Sequence, residues 1–301
     1  MTRLLIGLLL LLLTATACTS EAPGAPPAPP APSFERYVAL GDSFSAGPLI
    51  PTSDLAGGCL RSDHNYPSLV ADRLEVETFV DVTCSGARTA NLTRPQRPFE
   101  DARIPPQLAA VTDDTDLVTI GIGGNDLSLF GTLVSTCTRL RASDPTGSPC
   151  ARELATDRSD TGESTRTIRS RVAASLRAIR QKAPDATIVL VGYLRLVPEK
   201  GSCEELPLAT GDYAEGRRVS RVLDQALEQA ARSSRVVFVD MHAASRGHDI
   251  CSEDPWVNGS VTDRQRALSY HPFAAGMEAD ADAVVELLEK DGRVSAGAPR
   301  S

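Results

Sequence analysis

Four short motifs carry groups suited to acyl-transfer chemistry. They are Gly41-Asp42-Ser43-Phe44-Ser45, Cys84-Ser85-Gly86-Ala87, Gly123-Gly124-Asn125-Asp126 and His271-Pro272. A serine hydroxyl is a poor nucleophile until a base takes its proton, and imidazole is the commonest base for that task. Of the histidines, His271 has the setting of a strand-to-helix junction, whereas His64, His242 and His248 lie in other segments. Attack on an ester develops an oxyanion, which needs donors placed in advance. Taken singly, the motifs read more plainly as a helix N-cap, turns and a helix start. Their order along the chain, each beside a different predicted element, is what joins them.

The elements that must position these groups alternate in type. Residues 36–40, 76–82, 116–122, 186–192 and 235–240 are short apolar runs with strand character. Residues 66–74 have helical spacing after Pro67. Ile168, Val172, Leu176 and Ile179 share one helical face, and Pro184 closes that helix. Val219, Val222, Leu223, Ala226, Leu227 and Ala230 mark a further helix, and Met277, Ala281, Val284, Val285 and Leu288 a last one. Such alternation predicts one α/β domain, a three-layer α/β/α sandwich around a central parallel sheet. In that architecture ligands sit outside the carboxyl ends of the strands, where the motifs fall. The helix after Ser43 would also present its positive dipole end there. Residues 50–65, 94–106, 138–162 and 196–212 break the pattern and read as loops.

Ser43, Gly86, Asn125 and His271, in that order, resemble the signature of the GDSL/SGNH hydrolases, from about Tyr37 to Leu288. The chain is most similar to secreted bacterial GDSL lipases and esterases with three disulfides. Residues 37–47, Cys59-Leu60-Arg61-Ser62, Asn65-Tyr66-Pro67, residues 81–84 and residues 247–251 carry that likeness. The resemblance implies a flavodoxin-like SGNH fold, Ser43 as nucleophile and His271 as base. It implies an oxyanion hole from the Ser43 and Gly86 N–H groups and the Asn125 amide, and pairs Cys59–Cys84, Cys137–Cys150 and Cys203–Cys251. Asp42 is then an orienting partner for the motif backbone.

The chain departs from this family at one position. An aspartate usually stands three residues before the catalytic histidine, where this chain has Leu268. A leucine side chain cannot accept a hydrogen bond, yet the imidazole needs an orienting acceptor. The expectation is a Ser43–His271 dyad oriented by the backbone carbonyl at Leu268. Asp240 or Asp263 folding into place is the rival.

Composition narrows the class. Of 301 residues 42% are hydrophobic, 23% charged and 4% aromatic, with net charge −8. These values exclude a disordered chain, a collagen-like fibre and a multi-pass membrane protein, and no basic run suggests nucleic acid. No C-x-x-C or H-E-x-x-H pattern suggests a metal, and no cofactor is implied.

Arg3, the apolar run of residues 4–13 and Ala15-Thr16-Ala17 read as a signal peptide over 1–17. The junction resembles a lipobox, with Cys18 as the lipidated residue. Residues 18–33 form a Pro/Ala-rich tether, 34–292 the hydrolase domain and 293–301 a disordered tail. Seven cysteines less Cys18 leave an even six, suited to pairing in an oxidising compartment.

The expected protein is an exported monomeric esterase or lipase acting on small-molecule or lipid esters through an acyl-enzyme. It would touch a membrane only through Cys18. A carbohydrate or cell-wall O-deacetylase of the same fold and an inactive surface-binding lipoprotein are the alternatives.

Overall fold

A computed structural model describes residues 34–98, 102–156 and 161–294. The expected signal peptide, Cys18, the tether and residues 295–301 lie outside the described residues. Strands β1 (Arg36–Gly41), β2 (Thr78–Asp81), β3 (Leu117–Gly121), β4 (Thr187–Val191) and β5 (Val237–Val239) form one sheet. Its order is β2-β1-β3-β4-β5, and every pairing is parallel. The helices that frame the sheet and the serine turn are α1 (Ser43–Ala46), α2 (Tyr66–Arg73), α3 (Thr161–Lys182), α4 (Tyr213–Ser234) and α5 (Ala274–Lys290), with shorter helical pieces between them. This is the three-layer sandwich expected from the alternation.

The inner strands β1, β3 and β4 are buried and largely apolar because both of their faces are covered, whereas the edge strand β2 is only half-buried. Tyr37, Ala39, Leu117, Val189 and Val191 point to one side, against Val70 of α2 and Met277, Ala281 and Val284 of α5. Val38, Leu40, Val118, Ile120, Ile188 and Leu190 point to the other, against Ile168, Val172 and Leu176 of α3 and Leu223 and Leu227 of α4. The period of two along each strand thus divides one sheet between two cores.

Chain order places the site. From β1 the chain runs to β2 at one edge, then crosses to β3 on β1's other side. The carboxyl ends of β1 and β3 are therefore a topological switch point, where such sheets bind ligands. Gly41 and Gly121 pair across that point.

Three disulfides join Cys59 to Cys84, Cys137 to Cys150 and Cys203 to Cys251. Some boundaries differ from expectation. The second strand begins at Thr78 because Glu75 turns the chain with φ 50°. The last strand is cut short by Arg235, a left-handed helix C-cap, and by Asp240, which caps the next turn. Residues 138–162 are not all loop: Thr138–Leu140 and Pro149–Thr156 are helical, and α3 starts at Thr161. The buried Asp212 accepts the Cys150 and Ala151 N–H groups at 3.0 and 2.9 Å, fixing the start of the second piece. That cap comes from some 60 residues away, so no local pattern announces it.

Candidate active site

The first motif is held from below. The Asp42 N–H donates to the Gly121 carbonyl at 2.9 Å, continuing the β1–β3 ladder past its end. The Gln107 amide reads Gly41 twice, accepting its N–H at 2.9 Å and donating to its carbonyl at 2.8 Å. Buried Asp42 accepts the Phe44 N–H at 3.0 Å and the Tyr193 hydroxyl at 2.5 Å. Tyr193 in turn accepts the Gly124 N–H at 2.8 Å. One phenol therefore bridges the first and third motifs. Burial pushes the Asp42 carboxyl up to about 7, against the lowering effect of the Tyr193 and Phe44 donors. The Asp42 carboxylate caps the turn through the Phe44 N–H.

Ser43 opens α1 and is buried. That helix is one turn long, ended by Gly47 donating to the Ser43 carbonyl. The expected helix dipole shrinks accordingly. The local positive potential comes from individual N–H groups, since the dipole of a single turn is small.

The second motif is braced by Cys59–Cys84. The Ser85 N–H donates to the Cys59 carbonyl at 3.0 Å, and the Cys84 N–H to the Gly41 carbonyl at 3.1 Å. Gly86 is exposed with φ 77°, a conformation that costs a residue with a Cβ roughly 1–2 kcal/mol. Among the described residues, the Ser43 and Gly86 N–H groups have no acceptor.

The third motif docks onto the second. Asn125 donates from Nδ2 to the Ala87 carbonyl at 3.0 Å, which uses one of its two amide hydrogens. Asp126 accepts the Thr89 N–H at 2.9 Å and hydroxyl at 2.6 Å, and pairs with Arg171 at 3.1 Å. Gly124 lies beneath two rings. A Cβ there would sit 2.7 Å from Phe130 and 2.9 Å from Tyr193.

His271 precedes α5 in a loop organised by Asn258. The buried Asn258 amide donates to the carbonyls of Val261, Ala267 and Leu268 at 2.9, 3.0 and 3.2 Å. The His271 Nδ1–H donates to the Ser269 carbonyl at 2.7 Å. This corrects the expectation at Leu268. The Leu268 carbonyl instead accepts the His271 backbone N–H at 3.2 Å. The left-handed Tyr270, φ 62°, turns the chain so that the Ser269 oxygen faces the ring.

The rival carboxylates are engaged elsewhere. Asp240 accepts the Ala243 N–H at 2.8 Å and Asp263 the Gln265 N–H at 2.9 Å. A carbonyl only accepts, so the neutral ring carries its hydrogen on Nδ1 and leaves Nε2 free as a base. Burial lowers the imidazole to about 4, with the Ser269 carbonyl pulling the other way. It is therefore neutral at physiological pH.

Two contacts tie the histidine loop to the serine turn. The Leu268 N–H donates to the Pro48 carbonyl at 3.0 Å, and the Phe44 and His271 rings lie 5.6 Å apart. Phe44 also packs on Tyr193 and Phe130 at 5.2 and 6.1 Å. Partly buried Phe44 and Phe130 stack beside the turn. On the Gly86 side lies an open groove of about 610 Å³, lined by residues that include Leu60, Ser85, Arg88, Gln96 and Pro98. No cluster of metal-binding side chains occurs among the described residues.

Sequence reasoning missed Tyr193, Gln107, Asn258 and Phe130. Only Tyr193 carried a signal: it stands just beyond a predicted strand that ends at Gly192.

A model of the GDSL-like Lipase/Acylhydrolase family matches residues 39–279. Lipase 2 of Streptomyces coelicolor is 36% identical over 263 residues, 85% of this chain and 86% of that protein. Lipase 1 of the same organism is 33% identical over 244 residues, 80% of this chain and 81% of its own. Among solved structures, the extracellular lipase of Streptomyces rimosus superposes with a TM-score of 0.69 at 30% identity, covering 84% of this chain and 99% of that one. Phospholipase A1 from Streptomyces albidoflavus NA297 gives 0.68 at 28% identity, with the same coverage. The chain belongs to the GDSL-like lipase/acylhydrolase family and is a carboxylic-ester hydrolase.

Proposed function

We propose that this protein is an exported serine esterase or lipase, working through a Ser43–His271 dyad and an acyl-enzyme. The observation that carries the proposal is the hydrogen bond from His271 Nδ1–H to the Ser269 carbonyl. It presents Nε2 as a neutral base with no carboxylate required. In the first half-reaction Nε2 takes the Ser43 proton as Oγ attacks the ester carbonyl. The oxyanion is met by the Ser43 and Gly86 N–H groups and the second Asn125 amide hydrogen. Collapse expels the alcohol, which receives the proton from the imidazolium. Water then repeats the sequence on the acyl-enzyme, releasing the carboxylic acid and restoring Ser43.

Acyl esters fit better than sugar acetates. The stacked Phe44 and Phe130 rings lie beside Ser43, while the described lining of the groove beside Gly86 contains no aromatic ring for sugar stacking. The relatives named lipase and phospholipase point the same way. Export is supported by the signal-like pattern of residues 1–17 and by three disulfides, which persist in oxidising compartments. Cys18 would then carry a lipid anchor, testable by mass spectrometry of the exported N-terminus.

The deciding experiment is rapid-mixing hydrolysis of a chain-length series of p-nitrophenyl esters beside phospholipid and acetylated xylan. A burst of one p-nitrophenol per enzyme, with medium or long acyl chains preferred, is expected. With added methanol, a methanolysis-to-hydrolysis ratio that changes with the leaving group across esters of one acid would count against a common acyl-enzyme. Preference for acetylated xylan would transfer the protein to the O-deacetylases.

A further inference from the structure

A second cavity, of about 510 Å³, opens beyond the carboxyl ends of β4 and β5, and no residue of the serine turn is among its described lining. Four arginines line it. Arg195 lies on the segment leaving β4, Arg217 and Arg221 stand one turn apart on α4, and Arg246 follows the short helix Met241–Ala244. The Cys203–Cys251 disulfide links the loops that carry the first and last of these.

The acidic lining does not balance these cations. Glu199 is shared, 3.5 Å from Arg195 and 3.1 Å from Arg246. Asp224 has a buried Oδ1 with no hydrogen-bond partner among the described residues. Burial pushes Asp224 up to about 7, helped by Asp240 and Glu228 and opposed by Arg195, so near neutral pH much of it carries no charge. His242 is held down to about 4, chiefly by burial and then by Arg195, and so stays neutral.

The guanidinium groups are only partly used. Arg195 is 8% exposed. Its Nη2 donates to the His242 carbonyl at 2.9 Å, while its buried Nε has no partner among the described residues. Arg217 donates from Nη1 to the Pro198 carbonyl at 3.2 Å. The exposed Arg221 has no hydrogen bond or ion pair to a described residue. Glu199 lies between Arg195 and Arg246, which leaves Arg217 and Arg221 without an ion pair to a described residue, and two like charges one helical turn apart repel each other.

We infer that this cavity binds a phosphate-type anion, either free or as a lipid headgroup. Guanidinium forks match phosphate oxygens two at a time, which suits Arg217 and Arg221 projecting from neighbouring turns of one helix.

The test uses the full-length, oxidised protein at constant ionic strength near neutral pH. One arm titrates inorganic phosphate calorimetrically against a chloride control. The other sediments the protein with phosphatidylglycerol or phosphatidylcholine vesicles. Saturable phosphate binding is expected, weakened about ten-fold or more in the double variant Arg217→Gln/Arg221→Gln. Hydrolysis of a short p-nitrophenyl ester and the thermal unfolding temperature should stay as in the parent. Capture by phosphatidylglycerol vesicles alone, lost in the double variant, would place the phosphate on a lipid. Phosphate binding without vesicle capture would make the ligand soluble. Absence of arginine-dependent binding to either probe overturns the inference and leaves an arginine–carboxylate network closed by water. Both arms read binding, so neither outcome depends on Ser43 chemistry.

Discussion

Replacing Tyr193 by Phe would test whether the first and third motifs act as one rigid unit. The change deletes a single oxygen and keeps the ring that packs on Phe44 and Phe130. That oxygen donates to Asp42 at 2.5 Å and accepts the Gly124 N–H at 2.8 Å, both within the core. A hydrogen bond to a charged group contributes about 1.5–3 kcal/mol, and an orphaned buried donor costs about 1–3 kcal/mol. Asp42, already at about 7, can take up a proton at modest cost, which moderates the first loss. A net destabilisation of about 3 kcal/mol follows, or roughly 6–12 °C in Tm for a domain of this size. Gly124 precedes Asn125, so freeing its N–H also loosens the amide donor. A fall in kcat of roughly 10- to 100-fold with KM little changed is expected. The assay pairs thermal unfolding with steady-state hydrolysis of p-nitrophenyl butyrate. A variant with parental Tm and kcat would refute the idea that this phenol couples the two motifs.

Three other perturbations address separate parts of the site. Asn125→Ala should lower kcat by about 10²–10³ with a small effect on KM if its amide is the proposed oxyanion donor; a pure KM effect would reassign Asn125 to substrate binding. Asp263→Asn should leave kcat within about twofold, since a carbonyl already holds the imidazole, whereas a loss of several orders of magnitude would restore a carboxylate to the dyad. Asp280, buried in α5 with Oδ1 unpartnered, is raised by burial well above 3.8, so the folded state keeps a proton that the unfolded chain has released. Stability therefore falls as pH rises above about 4, and Asp280→Asn should raise Tm by at least about 3 °C at pH 8 and far less at pH 4. An equal shift at both pH values would show that ionisation is not involved.

What the sequence revealed, and what it hid, follows from the range of the forces involved. The sheet was legible because strands covered on both faces must be mostly apolar, as in residues 37–40 and 117–122, where Thr119 is the one polar side chain. The motifs were legible because their polar residues begin where those runs stop. The acceptor for His271 was misplaced by one residue, since which carbonyl meets the ring depends on the left-handed turn at Tyr270. Leucine at 268 gave no hint of it. Tyr193 and Gln107 each act through a pair of long-range hydrogen bonds and Asn258 through those of its own loop, and none of these leaves a periodic trace. The helical pieces between Leu129 and Thr156 escaped notice because remote caps such as Asp212, and the Cys137–Cys150 bridge, stabilise them more than local patterning does.

The identity of the nucleophile is open to one direct measurement. Oxidised protein is treated with a fluorophosphonate, digested and mapped by mass spectrometry, beside Ser43→Ala and His271→Ala. The adduct is expected on Ser43 alone, absent from the first variant and formed far more slowly in the second, with ester hydrolysis lost in step. Stoichiometric modification at another residue, or a Ser43→Ala protein that still turns over esters at the parental rate, would contradict the dyad.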